Sequence, residues 1–105
     1  MMNELAKEIF NINQGKGFWN QGIENRNKAE LIALMHSELS EALEADRKDL
    51  MDDKLTNRKG FDVELADCLI RILDCCGAYG IDIDTIVREK IEYNKKRPFR
   101  HNKKY

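Results

Sequence analysis

The sequence predicts an all-α fold, an antiparallel bundle of about four helices formed by a single domain over residues 1–105 and completed by oligomerisation. The chain contains one proline and six glycines among 105 residues, so residues that interrupt helices are scarce. Apolar side chains recur at three- and four-residue spacing in four separate segments, as they do along one face of a helix. A domain of this length buries only part of its surface, so we expect a second copy to cover some of the helices.

The first predicted helix covers residues 3–13, and its apolar stripe is formed by Leu5, Ile9 and Ile12. Glycines at positions 15 and 17 end this helix, and Phe18 and Trp19 follow in a loop. Aromatic side chains in a glycine-flanked loop either anchor it to the body of the protein or stack on a nucleobase. The sequence leaves both interpretations open.

The second predicted helix begins after Asn27 and runs to Lys48. Asn27 is a favourable N-cap because its side chain can accept a hydrogen bond from a backbone N–H group of the first turn, and Glu30 is its capping-box partner. The inward stripe of this helix is marked by Leu31, Leu34, Met35, Ala42 and Ala45. Glu38 and Glu41 lie in line with that stripe, where the pattern requires apolar residues. A polar stretch over residues 49–60 then leads to the third helix.

The third predicted helix has Asp62 as its N-cap, continues to residue 78 and stops at Tyr79–Gly80. It is apolar around most of its circumference, which is typical of a buried helix. Its charged residues share one narrow stripe at three- and four-residue spacing: Glu64, Asp67, Arg71 and Asp74. The second and third helices therefore both place carboxylates where burial is expected.

The fourth predicted helix begins at Asp82 or Asp84 and ends at Pro98. Its apolar stripe is continued by residues that can bind phosphate oxygens, namely Lys90, Asn94 and Arg97. The alternative is a helix end whose long side chains reach the solvent. The surrounding segment, residues 88–105, has eight Lys and Arg against two Glu, a local charge of +6, while the rest of the chain carries −7. Such a segment is either a solvated end or a surface that meets phosphate or acidic groups.

The placement of the four carboxylates predicts a divalent metal ion. An unpaired buried carboxylate costs several kcal/mol, against a total stability of about 5–15 kcal/mol for a domain. Arg71 can neutralise only one of the four. Oxygen ligands without Cys or His favour Mg²⁺, with Mn²⁺ as a substitute. A di-iron site is not favoured because the helices have no Glu-x-x-His pair, and His36 lies nearly opposite Glu38 on its helix, which indicates a structural or interface role.

The alternative to a metal site is a pair of solvent-exposed carboxylate stripes, which are common on helices. The third helix argues against it, because this helix has no other polar face that could lie in solvent.

The compartment is predicted from what the chain lacks. No apolar run approaches the ~20 residues that span a bilayer, and no segment resembles a signal peptide, so no membrane association is expected. The cysteines at positions 68, 75 and 76 match no zinc motif and fit small apolar residues in a reducing compartment. We therefore expect a cytoplasmic protein.

Two motifs resemble the signature of a known family. Glu38-Leu-Ser-Glu41, followed after 22 residues by Glu64-Leu-Ala-Asp67, resembles the ExxE…ExxD signature of the MazG-like all-α nucleoside triphosphate pyrophosphohydrolases. The segment from Lys90 through Asn94 to Arg97-Pro98, followed by His101 and Lys103-Lys104-Tyr105, is similar to a family ending of the form KxxxNxxRPxxHxxK. The glycine that usually follows the tail histidine is Asn102 here. The resemblance covers residues 31–105.

The resemblance implies hydrolysis of a nucleoside triphosphate between its α and β phosphates, giving a nucleoside monophosphate and pyrophosphate. The implied catalytic and Mg²⁺-binding residues are Glu38, Glu41, Glu64 and Asp67. The implied phosphate-binding residues are Lys90, Asn94 and Arg97, assisted by Arg71 and Lys54. The candidates for the base pocket are Phe18 and Trp19. Related members assemble as dimers or tetramers, so a homodimer or homotetramer is expected.

Two other functions compete with this prediction. The first is a non-catalytic nucleotide-binding regulator that uses the same metal site. The second is a nucleic-acid-binding module that uses the basic segment, but that segment contains few aromatic residues and the rest of the chain is acidic. The sequence leaves the preferred base and sugar open, together with phosphoribosyl-ATP as a substrate.

Overall fold

The computed structural model describes residues 1–98 and 104. Within them lie four α-helices: α1 (Met2–Gly15), α2 (Lys28–Lys48), α3 (Gly60–Tyr79) and α4 (Ile83–Lys95). A short 3-10 helix, Ile23–Asn25, lies between α1 and α2. This part of the chain contains no strand, only an isolated antiparallel bridge between Met51 and Lys59. The all-α prediction is confirmed. None of the helices in this range is long and apolar enough to cross a bilayer.

The helix ends follow local side-chain chemistry, with one departure from the prediction. The Asn27 side chain accepts hydrogen bonds from the backbone N–H groups of Ala29 and Glu30, and the Asp82 side chain accepts one from Thr85. The prediction of Asp62 as the N-cap of α3 is wrong, because α3 begins two residues earlier at Gly60 and has no side-chain cap. Asp62 lies instead in the first turn, where its charge interacts favourably with the helix dipole.

The helix α3 lies at the centre of the fold, in contact with both α1 and α2, while α4 contacts α1. The Cys68 thiol donates a hydrogen bond to the backbone oxygen of Met35, and Gly60 lies against Ala45, so α2 and α3 run antiparallel. The antiparallel arrangement brings α2 positions near 38 and α3 positions near 64–71 to the same level of the helix pair. It therefore determines which carboxylates can meet.

The contact between α1 and α3 is closest at Gly77. A Cβ atom at this position would lie 2.5 Å from the Ala6 backbone oxygen and 2.8 Å from the Phe10 Cβ, so only glycine fits without a shift of the backbone. The buried cluster of Ala6, Leu73 and Cys76 lies beside this crossing. All three cysteines are free thiols, and Cys68 and Cys76 are buried as small apolar residues.

One side of the α2–α3 pair remains apolar and exposed in the single chain. The exposed residues on α2 include Ile32, Leu39 and Leu43, and those on α3 include Phe61, Leu65, Leu69 and Ile72. On each helix they recur at three-, four- or seven-residue spacing, so each set forms one stripe. We call these seven side chains the apolar face. The expectation that α3 is buried nearly all round is therefore only partly met within one chain.

Candidate metal centre

Three of the four predicted metal ligands come together between α2 and α3. One carboxylate oxygen from each of Glu38, Glu41 and Glu64 lies within 4.8 Å of the other two. Glu38 is buried, Glu64 is half-buried and Glu41 is exposed. We call these three residues the glutamate cluster. The cluster has the oxygen chemistry and the spacing that a hard divalent cation requires.

Asp67, the fourth predicted ligand, is not part of that set. It lies one helical turn beyond Glu64 and lines the same groove as Glu38. Burial raises the pKa of Asp67 above its usual range, and the charges of Glu38 and Asp52 add to the effect. The structure therefore places Asp67 in the negative field of the cluster.

The glutamate cluster retains a proton at neutral pH. Burial, together with contacts to the carboxyl groups of Glu38 and Glu41, raises the pKa of Glu64 to about 8. Burial also raises the pKa of Glu38, but its contacts with Glu64 and Arg71 outweigh that effect, so its pKa lies below the usual range. The Oε2 atom of Glu64 is buried and has no hydrogen-bond partner. Three carboxyl groups are thus held together without enough positive charge to ionise all of them.

Arg71 supplies part of the missing positive charge. Its Nε donates a hydrogen bond to Glu38 Oε1 at 2.8 Å. Two faces of the cluster open into grooves. The Phe18 groove has a volume of about 310 Å³ and is lined by Asn13, Phe18, Glu38, Asp67, Ile70, Arg71 and Asp74. The Asp52 groove has a similar volume, and its lining includes Glu41, Glu64, Asp52, Asp53 and Gly60.

The Asp52 groove contains a buried carboxylate that the sequence did not single out. Asp52 Oδ2 accepts hydrogen bonds from the backbone N–H groups of Lys54 and Leu55, at 2.9 and 2.7 Å. These bonds form a turn in the connection between α2 and α3. The aspartate that begins the Asp-x-Lys-Leu segment could have indicated this turn, because aspartate side chains often accept hydrogen bonds from the backbone that follows them. Lys54, a predicted phosphate-binding residue, belongs to this turn but is not among the residues that line the groove.

Two of the predicted phosphate-binding residues, Lys90 and Asn94, lie on α4, and Arg97 lies two residues beyond its end. Lys90, Asn94 and Arg97 line neither the Phe18 groove nor the Asp52 groove. The Lys90 ammonium and the Arg97 guanidinium instead lie 4.8 and 5.2 Å from the centre of the Tyr93 ring. Residues 99–103 and 105, which include His101 of the tail motif, lie outside the described residues.

The two aromatic residues of the α1–α2 loop have different environments. Trp19 is only 3% exposed, contacts the rings of Phe10, Phe18 and Tyr79 edge to face, and donates its indole N–H to Asp74. This position favours the anchor interpretation, since the buried ring offers no free face to a nucleobase. Phe18 is half-buried and lines the Phe18 groove. His36 is exposed on α2.

No protein-family model, curated protein or solved structure matches this chain. The resemblance to the MazG-like family therefore depends on the motif residues themselves.

Proposed function

We propose that this protein is a Mg²⁺-dependent nucleoside triphosphate pyrophosphohydrolase that converts an NTP or dNTP to its monophosphate and pyrophosphate, in nucleotide-pool housekeeping. The observation that carries the proposal is the glutamate cluster, where oxygens of Glu38, Glu41 and Glu64 lie within 4.8 Å of one another on two packed helices. These residues belong to the two motifs that resemble the family signature. The fold is all-helical, as the resemblance implies.

The residues of the cluster fit a magnesium ion. All three offer hard carboxylate oxygens, and the buried Glu64 Oε2 has no hydrogen-bond partner that would satisfy it. Asp67, one turn away, is the remaining candidate ligand. When bound, Mg²⁺ would neutralise phosphate charge and lower the pKa of an attacking water.

The protein groups around the cluster account for substrate placement in this proposal. Arg71 holds Glu38 in position and has further N–H groups that can bind phosphate oxygens. The Phe18 groove is lined by Glu38 and Asp67 and also by an aromatic ring, so it suits a nucleoside attached to phosphates at the cluster. The Asp52 groove is lined by the other two glutamates of the cluster, Glu41 and Glu64.

A homodimer or homotetramer completes the proposal. The apolar face exposes seven large side chains on two neighbouring helices, and a second α2–α3 pair laid against it would form a four-helix bundle. Lys90, Asn94 and Arg97 line neither groove beside the cluster of their own chain. We therefore propose that Lys90, Asn94 and Arg97 bind phosphates of a substrate held by a neighbouring copy.

The test is incubation of the purified protein with each common NTP and dNTP in the presence of Mg²⁺, with detection of pyrophosphate and the monophosphate. We expect both products from at least one nucleotide and none after chelation of the metal. A folded sample that releases no product from any of them refutes the proposal. Mg²⁺-dependent nucleotide binding without turnover would instead identify the regulator.

A further inference from the structure

Asp74 is a buried carboxylate that lines the Phe18 groove but has no role assigned to it in the proposed reaction. It lies on α3, is 4% exposed, and is the last member of the charged stripe that begins at Glu64. Its two oxygens accept hydrogen bonds from Trp19 Nε1 at 3.1 and 3.3 Å, and Oδ2 also accepts one from Asn13 Nδ2 at 3.1 Å. The carboxylate thus joins three parts of the fold: α3, the end of α1 and the α1–α2 loop.

Trp19 links Asp74 to the neighbouring ring of Phe18. The rings of Trp19 and Phe18 meet edge to face, with their centroids 5.5 Å apart. Phe18 lines the Phe18 groove together with Glu38 and Asp67. A contact path therefore leads from Asp74 through the indole to the aromatic end of the groove.

The loop that carries the two rings has an irregular backbone. Gly17 and Gly22, on either side of the two aromatic residues, adopt positive φ angles of 93° and 89°. At the far end of the loop Arg26 provides a second attachment. Its guanidinium lies 4.3 Å from the centre of the Phe18 ring and pairs with Glu30 of α2. Phe18 is held from two directions.

A buried carboxylate is an expensive acceptor for the N–H groups of Trp19 and Asn13, since burying a carboxylate costs more than burying a neutral acceptor. A charged acceptor forms shorter and stronger hydrogen bonds and so restricts the donor more closely. Packing of the indole ring alone does not require a charged acceptor. Accurate placement of a ring that binds substrate does require one.

We propose that Asp74 is a positioning residue for nucleoside binding, which acts through Trp19 to hold Phe18 at the end of the groove beside the glutamate cluster. This inference rests on the proposed function. Because the phosphates react at the cluster and the loop contacts only the nucleoside end, loss of Asp74 weakens substrate binding and leaves the chemical step unchanged.

The test compares Asp74→Ala, which removes both acceptors, with Asp74→Asn, which keeps one carbonyl oxygen. Asp62→Ala is the matched control, since Asp62 is an exposed aspartate on the same helix. We expect Asp74→Ala to raise KM roughly tenfold, with kcat nearly unchanged, because Trp19 and Asn13 both lose their charged acceptor. Asp74→Asn should fall between Asp74→Ala and wild type, and the control should match wild type.

Trp19 fluorescence provides a readout that does not depend on turnover, because Trp19 is the only tryptophan in the sequence. In Asp74→Ala its emission should shift to longer wavelength and its quenching by acrylamide should increase, both measured without nucleotide. If Asp74→Ala does not fold, Trp19→Phe removes the same hydrogen bond from the other side and should raise KM in the same way.

The outcomes separate this inference from the proposed function. An active wild type together with a folded Asp74→Ala or Trp19→Phe variant of unchanged KM overturns the inference alone. Unchanged fluorescence in Asp74→Ala also overturns it. A wild type that hydrolyses no nucleotide overturns the proposed function, and the nucleoside-positioning role with it.

Discussion

Two carboxyl groups on α3 differ in whether the protein supplies hydrogen-bond donors to their buried oxygens. Asp74 is 4% exposed, and its oxygens accept hydrogen bonds from Trp19 and Asn13. Glu64 lies about three helical turns away, faces two other carboxyl groups, and has a buried oxygen without a partner. The first site is satisfied by the protein itself. The second is satisfied only by a proton or a cation, and this difference separates a carboxylate held by protein donors from a candidate metal ligand.

The largest effect that tests this comparison is on hydrolysis. Glu64→Gln keeps the shape of the side chain but replaces a proposed metal-binding oxygen with an amide group. Loss of an outer-shell partner typically costs 10–100-fold in activity, so loss of a ligand should lower kcat/KM by roughly a hundredfold or more. Pyrophosphate release at saturating Mg²⁺ measures it. Glu8→Gln, an exposed glutamate of α1, serves as the control and should keep full activity.

The next effect is on stability, where substitutions at the two sites should change the free energy of unfolding differently. Asp74→Ala leaves the buried Trp19 N–H without its acceptor and should lower the free energy of unfolding by about 2 kcal/mol. Glu64→Gln in metal-free protein should leave stability unchanged or increase it, because it removes a carboxyl group that is crowded by two others. Urea denaturation of both variants at neutral pH measures the contrast. Equal losses in the two variants would mean that the sites are not different in kind.

The smallest effect is the pH dependence of stability without metal. The pKa of Glu64 is about 8 in the folded protein and near 4.5 when the chain is unfolded. Between these two pKa values the folded state binds a proton that the unfolded state has released. The contribution of Glu64 to the free energy of unfolding is therefore complete below pH 4.5, declines as pH rises, and is lost above the folded pKa. The melting temperature of wild type should fall more steeply than that of Glu64→Gln between about pH 5 and pH 9.

The same measurement of stability against pH can be repeated with Mg²⁺ present. A metal ion competes with the proton for the cluster, so Mg²⁺ should stabilise wild type more at about pH 8 than at about pH 6. At a concentration 100 times its Kd the gain is about 2.7 kcal/mol. A shift in Glu64→Gln as large as that in wild type would place the bound ion elsewhere.

The sequence predicted the helices well because their signals are local. Asn27, Gly80 and Asp82 act at the helix ends where they were expected. The error at Asp62 has a physical cause, since an aspartate serves equally well as an N-cap or in the first turn. The charged stripe of α3 was also visible from its spacing.

Periodicity could not distinguish the members of that stripe. It identifies a face of a helix but not the neighbour that the face meets. Asp74 and Glu64 share one stripe in the sequence, yet Asp74 meets Trp19, 55 residues away, and Glu64 meets Glu38 and Glu41. The position of α4 is a similar case, because its basic residues were recognisable while their distance from the cluster depends on packing. The apolar face likewise became visible only when the helices were assembled.

The contact at Gly77 determines the position of α1 along α3. Because Gly77 has no Cβ atom, the Ala6 backbone lies directly against α3. A shift of α1 along α3 would break this contact. Asn13 lies seven residues further along α1, about 10 Å away, and meets Asp74 only in this register. A single methyl group added at the crossing would displace the far end of α1 and the aromatic loop attached to it. If the proposed function is right, Gly77 would affect nucleoside binding although it does not line the Phe18 groove.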